Sequence, residues 1–273
     1  MFKFRIPSIM VAMVGLAAAC SDGGTPTRTL VITGSSTMAP LIGEMAKRFE
    51  AAHAGIRVDV QTGGSSRGVA DVRSCLAQVG MVSRDLRSDE DDLLATPVAT
   101  DTVTLIVHRD NPIDALSREQ VIGIFRGEIK TWTSLSGLDH PITVVHKAEG
   151  RSTLELFLSH FGLKNSSVKA HVIVGDNEQG IKSVAGVPGA IGYVSLGTAV
   201  LSLQGGVSIR IVRLLGESEP SADGESKRSA IRRNLNLVCG KSPEALTQSF
   251  LTFASSQAVR DLILAEAFIP LEK

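Results

Sequence analysis

Short apolar runs alternate with segments of helical periodicity along most of the chain. Leu30–Thr33 predicts a buried strand, and the apolar positions between Met38 and Phe49 recur at helical spacing. The same order of strand, turn and helix then recurs. Further strands are predicted at 56–60, 79–82, 98–107, 142–145, 190–194 and 235–238, and further helices at 69–79, 117–125, 154–161, after 242 and at 257–267. Strands that alternate with helices predict an α/β fold with mainly parallel sheet.

The first twenty residues have the layout of an export signal. Lys3 and Arg5 precede an apolar run over 6–19, which is too short to span a membrane, and three alanines stand immediately before Cys20. Small residues ahead of a cysteine are typical of a lipoprotein signal, in which Cys20 is lipidated. The alternative is a plain signal peptide in which this cysteine is incidental. Residues 21–28 are polar and predict a flexible tether.

Composition excludes several classes of partner. Lys plus Arg and Asp plus Glu both number 28, so the basic excess of a nucleic-acid-binding protein is missing. The chain has one Trp and one Tyr, so we expect recognition by hydrogen bonds rather than by stacking. The spacing of Cys and His predicts no metal site. In an oxidising compartment, Cys75 and Cys239 form a disulfide or remain two unrelated buried thiols.

Three predicted strand-to-helix turns share Gly, Ser and Thr: residues 34–37, 63–68 and 149–153. A helix start exposes unpaired N–H groups, glycine allows close approach, and hydroxyls add donors. Such a turn can bind an anion, although Ser and Thr are also the ordinary helix-capping residues. Three such turns at the carboxyl ends of strands favour a shared anion site.

Arginines accompany these turns and the one after the third predicted strand. Arg67, Arg84 and Arg151 each lie in or beside a segment that contains serine. A guanidinium matches a tetrahedral oxyanion with two parallel hydrogen bonds. The alternative is pairing with a neighbouring carboxylate, such as Asp71, Asp85 or Glu155. We predict Arg84 and Arg151 as ligands, ahead of Arg67.

Six segments resemble phosphate-binding proteins of ABC-type phosphate uptake systems: GSSTMAPL (34–41), QTGGSSRGVADV (61–72), VGMVSRDL (79–86), LSREQVIGIFRGEIKTW (116–132), EGRSTLELF (149–157) and AIGYVSLG (190–197). The resemblance implies a two-lobed periplasmic-binding-protein-like fold, each lobe a mainly parallel sheet flanked by helices, joined by two crossover strands. It implies a first lobe of 29–107 plus 205–273 and a second lobe of 108–204, in which Trp132 is structural.

The same resemblance implies an exported protein, in the periplasm or at the cell surface, that captures inorganic phosphate and delivers it to a membrane ABC permease. It would be a monomer without cofactor or metal, and not an enzyme. The ligands carried over by motif are Ser36, Thr37, Ser66, Ser83, Arg84, Arg151, Ser152 and Thr153.

This chain departs from the family pattern within the site. Family members often have an Asp where Ser83 stands, and that Asp accepts the phosphate proton and rejects sulfate. They also often have an Arg where Lys147 stands, and Ser-Gly-Thr where 151–153 is Arg-Ser-Thr. Discrimination between phosphate and another oxyanion, such as sulfate or a phosphate ester, therefore remains open.

One motif favours a different class of function. Residues 64–68 fit the G-x-S-x-G pattern of a serine hydrolase, with Ser66 as the nucleophile. That arrangement needs a histidine late in the chain, and the last histidine here is His171. We therefore expect a binding protein rather than an enzyme.

Overall fold

The computed structural model of the chain describes residues 28–216 and 231–272. The predicted export signal, the predicted lipidation site Cys20 and residues 21–27 of the predicted tether lie outside the described residues. Within the described ranges, none of the helices combines the length and the apolar character needed to cross a membrane.

Strands and helices alternate along the chain as the hydrophobic pattern predicts. The strands are β1 (Arg28–Gly34), β2 (Ile56–Thr62), β3 (Val79–Val82), β4 (Leu93–His108), β5 (Ala115–Leu116), β6 (Thr143–Lys147), β7 (Val172–Val174), β8 (Ala190–Ser195), β9 (Ile209–Leu214), β10 (Ile231–Gly240) and β11 (Ile269–Pro270). The helices are α1 (Ala39–Ala52), α2 (Ser65–Arg73), α3 (Arg118–Phe125), α4 (Thr133–Ser136), α5 (Ser152–Phe161), α6 (Asn177–Ala185), α7 (Leu196–Gln204), α8 (Ala245–Ala254) and α9 (Arg260–Ala265).

The sheet is mixed rather than mainly parallel. Strand β1 pairs in parallel with β2 and β3, β6 pairs in parallel with β7 and β8, and β5 pairs in parallel with β9. Every antiparallel pairing between the described strands involves β4 or β10. These two strands run in opposite directions between the halves of the molecule, so each meets some of its neighbours antiparallel.

The two largest of the four hydrophobic clusters in the described residues define two lobes. The core of the first lobe is built on β1, β2, β3, α1 and α8, and the core of the second lobe is built on α3, α5, β6 and β8. Strand β4 contributes Val98 to the first core and Val103 to the second, and β10 contributes Leu235 to the first and Ile231 to the second. The two predicted crossover strands are therefore β4 and β10.

The predicted limit of the second lobe at residue 204 does not match the packing. It assigned β9 to the first lobe, but Val212 of β9 packs in the second core. The reason is pairing: β9 lies antiparallel to the second half of β4, over residues 105–108, and parallel to β5. The second lobe thus extends through β9 before the chain returns.

Local signals in the sequence had mixed outcomes. Ser117 accepts a hydrogen bond from the Gln120 N–H (3.2 Å), and Gln120 accepts one from the Ser117 N–H (2.7 Å), so the two residues form a capping box at the start of the predicted helix α3. Trp132 is fully buried in the second core and donates from Nε1 to the Gly189 carbonyl (2.9 Å). Helix α8 begins at Ala245, after Glu244, rather than at the predicted Ser242–Pro243 start.

The possible disulfide between Cys75 and Cys239 is not formed. Both thiols are free, since Cys75 is exposed after the end of α2 while Cys239 is buried in the first core on β10. Burial raises the pKa of the Cys239 thiol, because the charged thiolate loses its hydration.

Candidate functional site

Turns from both lobes meet between the two cores. Strands β1, β2 and β3 end at turns of the first lobe, and β6 and β7 end at turns of the second lobe. Parallel strands bring their carboxyl ends to one edge of a sheet, so each lobe presents a set of helix starts there. The two edges face each other, and the Ser66 N–H of the first lobe donates to the Gly150 carbonyl of the second (3.3 Å).

Four buried serine hydroxyls form a cluster at this meeting point. Ser35, Ser65 and Ser83 come from the first lobe and Ser152 from the second. The Oγ atoms of Ser83 and Ser152 are 2.5 Å apart, those of Ser65 and Ser152 are 3.0 Å apart, and those of Ser35 and Ser83 are 2.8 Å apart. A hydroxyl can donate or accept a hydrogen bond, so the serine O–H groups can rotate to bind a polar ligand.

A buried ion pair lies beneath the serine cluster. Arg233 of β10 donates from Nε (3.0 Å) and Nη2 (2.7 Å) to Oδ2 of Asp101 on β4. The two side chains are 0% and 1% exposed. They also stand opposite each other in the antiparallel register of β4 and β10, so strand pairing and charge pairing reinforce each other.

The remaining donors of Arg233 reach hydroxyls of both lobes. Its Nη1 lies 2.9 Å from Thr153 Oγ1 and 3.4 Å from Ser83 Oγ, and its Nη2 lies 3.2 Å from Thr37 Oγ1. Arg233 thus places a guanidinium among the hydroxyls of both lobes, although it lies on a crossover strand rather than in a turn of either lobe. A buried cation surrounded by hydroxyl donors suits a tetrahedral oxyanion.

The hydroxyls of the three predicted turns do not cap their own helices. Helices α1, α2 and α5 begin after Met38, Gly64 and Arg151, and none of these receives a side-chain capping hydrogen bond. By contrast, α3 and α7 are capped by Ser117 and Ser195. The Ser and Thr residues of these turns therefore do not act as ordinary helix caps. The first N–H groups of α1, α2 and α5 are not used by a capping side chain and can bind other partners.

Glycine is required where the two edges approach most closely. Gly64 has a φ of +96°, and a Cβ there would lie 2.6 Å from the Gly150 carbonyl oxygen and 2.9 Å from Arg151 Cδ. A side chain would hold the lobes apart and strain the backbone. Glycine is therefore needed at this turn both for its positive φ and because a Cβ would collide with the second lobe.

The second lobe adds two polar groups that the sequence reasoning did not select. Asn177, the first residue of α6, donates from Nδ2 to Thr37 Oγ1 across the lobes (3.1 Å). Lys147 is buried at the end of β6, and its Nζ donates to the Asp176 carbonyl. Burial lowers the pKa of Lys147 to about 7, against the favourable field of Asp176 and with a further lowering from Arg233 and Arg151.

The predicted ligands fall into three groups. Those at the hydroxyl cluster and its arginine are Thr37, Ser83, Ser152 and Thr153. Ser36 and Ser66 are half-buried, and the adjacent Ser35 and Ser65 take the buried positions instead. Arg151 is half-buried between the lobes, and its Nε atom is buried and hydrogen-bonds to none of the described residues.

Arg84 lies elsewhere than predicted. It is buried, but its guanidinium pairs with Glu90 (2.7 and 2.8 Å) and lies 3.1 Å from Glu155, rather than pointing at the serine cluster. The competing interpretation, pairing with a carboxylate, describes it correctly. Arg67 is exposed and pairs with Asp71 (3.1 Å).

Arg233 and Asp101 are the main omissions of the sequence analysis. Arg233 lies outside the strand predicted at 235–238, whereas the structure places it inside β10, 4% exposed. A signal existed: Ile231, Arg233, Leu235 and Leu237 alternate at period two, and all four are buried. Extending the strand by that pattern would have placed Arg233 on a buried face.

Neither a hydrolase triad nor a metal centre is assembled in the described part of the chain. Ser66 Oγ hydrogen-bonds to Glu155 (3.4 Å), and no described histidine partners it. Across residues 28–216 and 231–272, no group of three or more His, Cys, Asp or Glu side chains is placed to hold a metal ion.

Comparison with known proteins places the chain in a family. A family model described as a PBP superfamily domain matches residues 21–257. Phosphate-binding protein PstS of Bacillus subtilis is 26% identical over 291 residues, covering 98% of this chain and 94% of its own length.

Two solved structures share the architecture. A candidate phosphate ABC transporter substrate-binding protein from Clostridium perfringens, with bound phosphate, superposes with a TM-score of 0.78 at 26% identity, covering 90% of this chain and all of that one. An ABC-type phosphate transport receptor from Vibrio cholerae superposes with a TM-score of 0.71 at 25% identity, covering 89% of this chain and all of that one.

The buried pair generates a stability prediction. Replacing Arg233 with Gln leaves Asp101 as an uncompensated buried charge, so we expect the free energy of unfolding to fall by about 3–5 kcal/mol. Urea denaturation followed by circular dichroism measures the change. Arg232→Gln, on the exposed neighbour in the same strand, is the matched control. Equal stability of the two variants would show that the pair is not a structural requirement.

Proposed function

The chain belongs to the PBP superfamily, and from this premise we propose that it is an extracytoplasmic solute-binding protein. It captures inorganic phosphate between its lobes and delivers it to a membrane ABC permease. The names of its relatives support this, since they describe a phosphate-binding protein, a phosphate ABC transporter substrate-binding protein and an ABC-type phosphate transport receptor. The observation on which the proposal rests is the contact of buried Arg233 with hydroxyls of both lobes.

The chemistry of the interlobe site suits a small tetrahedral anion. The groups at the serine cluster are the serine and threonine hydroxyls, the Arg233 guanidinium and the N–H groups at the starts of α1, α2 and α5. An anion entering the cluster exchanges hydroxyl–hydroxyl bonds for hydroxyl–anion bonds. Micromolar affinity needs about 8 kcal/mol, and each charge-assisted hydrogen bond supplies roughly 1.5–3 kcal/mol, so six to eight donors suffice.

Closure of the two lobes on an anion is expected because its hydrogen-bond donors come from both lobes. Thr37 and Ser83 belong to the first lobe, Ser152 and Thr153 to the second, and Arg233 to a crossover strand. An anion bound by all of them links the lobes, so it stabilises the closed arrangement relative to an open one. The proposed ligands are therefore these five residues with Arg151, and with Ser36 and Ser66 at the rim. Arg84 is not among them, because its guanidinium pairs with Glu90 and Glu155.

Selectivity depends on the chemistry at Ser83. A hydroxyl at this position can accept the proton of hydrogen phosphate, but it can also donate to fully deprotonated sulfate. The carboxylate of Asp101, which pairs with Arg233 beside Ser83, uses Oδ2 for two hydrogen bonds from that arginine. Discrimination between the two anions is therefore the property that a binding experiment must measure directly.

Isothermal titration calorimetry of the purified, anion-stripped protein tests the proposal. We expect micromolar phosphate binding at one anion per chain, and the affinity for sulfate measured in the same way decides whether the site discriminates between the two anions. Arg151→Gln should weaken binding at least about tenfold through loss of a charge-assisted bond, whereas exposed Arg67→Gln should not. Similar affinities for both anions would identify a general oxyanion binder, and binding of neither would overturn the assignment.

Lys147 makes the affinity depend on pH. Its pKa is lowered to about 7, so Lys147 is charged below that pH and neutral above it. Its attraction for an anion is therefore present below about pH 7 and is lost as the pH rises. We expect the wild type to bind phosphate more tightly than Lys147→Met at about pH 6, and equally at about pH 9. Comparing the two proteins at each pH cancels the titration of phosphate itself, and a constant ratio would contradict the prediction.

We also propose that the protein is exported and held at the membrane by a lipid on Cys20, the residue that follows the predicted signal. Labelling cells with a fatty-acid analogue should mark the protein in the membrane fraction. Cys20→Ser should abolish the label and release the protein, whereas Cys75→Ser, which removes an exposed thiol, should change neither. Retention of the label in Cys20→Ser would exclude the anchor.

A further inference from the structure

Glu155 makes contacts across the two lobes at the edge of the site. It lies in the first turn of α5, directly after Ser152–Leu154, and its side chain is 28% exposed. Its Oε1 is 2.6 Å from Arg87 Nη2 and accepts from Ser66 Oγ at 3.4 Å, while its Oε2 is 3.1 Å from Arg84 Nε. All three partners belong to the first lobe.

Arg84 is held in place by its own lobe. Glu90 accepts from both terminal nitrogens of Arg84 (2.7 and 2.8 Å) and from the Arg87 N–H (2.9 Å). Hydrogen bonding from Arg84 holds the pKa of Glu90 below its ordinary value, so this carboxylate stays charged. The Arg84 side chain thus has its position fixed by contacts that do not involve the second lobe.

We propose that Glu155 is a positioning residue for anion binding, which holds the two lobes together through a clasp formed with Ser66, Arg84 and Arg87. The clasp rests on the proposed function, since it matters only if the lobes close on an anion. It explains why a buried arginine beside the site does not point into it. It also gives a role to Ser66, whose hydroxyl lies outside the serine cluster.

The geometry links the clasp to the anion through one helix. Ser152 and Thr153 begin α5, and Glu155 lies two residues after Thr153 in the same first turn. An anion that draws the start of α5 toward the first lobe brings Glu155 to Arg84 and Arg87. Because Arg84 is already fixed by Glu90, little of its side-chain freedom is lost at that step, so the ion pair is stronger than a typical exposed one.

The clasp predicts a kinetic effect. In Glu155→Gln we expect phosphate to dissociate about tenfold faster with a little-changed association rate, because the clasp exists only after closure. The melting temperature of the anion-free protein should not change. Stopped-flow release of phosphate measures the rate, and higher salt should reduce the difference since Arg87 is 47% exposed.

Two further variants separate the clasp from a general structural effect. Asp261→Asn, which breaks the ion pair with Arg48 (2.7 Å) inside the first lobe, should leave phosphate release unchanged. Arg87→Gln should accelerate release, and combining it with Glu155→Gln should add less than the sum of the two effects. Arg87→Gln also tests the clasp if Glu155→Gln folds poorly.

Small-angle scattering distinguishes the two ways of failing. If wild type binds phosphate and Glu155→Gln has the same release rate and the same scattering curve, the clasp is wrong while the proposed function stands. If wild type does not bind phosphate, the proposed function fails. The clasp, which closes only around a bound anion, then falls with it, whereas the first result leaves phosphate binding intact and overturns the clasp alone.

Discussion

The pairing of Arg233 with Asp101 is the constraint around which the site is organised. Both charges are buried, so neither is tolerable without the other. Because they stand opposite each other on β10 and β4, a shift of strand register would separate them. The pair therefore fixes the alignment of the two crossover strands. It also uses only part of the guanidinium, and the remaining N–H groups point to the hydroxyls of both lobes.

The periodic parts of the sequence predicted the fold, but not how its strands pair. The runs at 30–33, 79–82 and 190–194 lie in strands that are largely buried on both faces, which leaves a continuous apolar signal, whereas 56–60 alternates and lies in the half-exposed strand β2. The antiparallel pairings were not predicted, because they depend on which strands β4 and β10 lie beside as they pass between the lobes. A sheet partner is a long-range property that hydrophobic periodicity does not encode.

The candidate site was predicted at the level of turns more reliably than at the level of side chains. Glycine and hydroxyl residues located the 34–37, 63–68 and 149–153 turns, but choosing between neighbours such as Ser35 and Ser36 requires the exact start of a helix. Arg84 was misplaced because sequence cannot show that Glu90 and Glu155 surround it. Arg233 was missed because polar neighbours concealed the alternation of its strand.

The contacts between the lobes differ in how easily water can replace them, and this difference would allow the proposed site both to close on an anion and to release it. Strands β4 and β10 join the lobes through backbone hydrogen bonds and a buried ion pair, which cannot be replaced by water without a large penalty. The hydroxyls and Glu155 join the lobes through groups that water solvates well once they separate. Opening therefore breaks the second set and spares the first. Since Arg233 belongs to the permanent set, its charge stays in the cleft in either state, ready for the next anion.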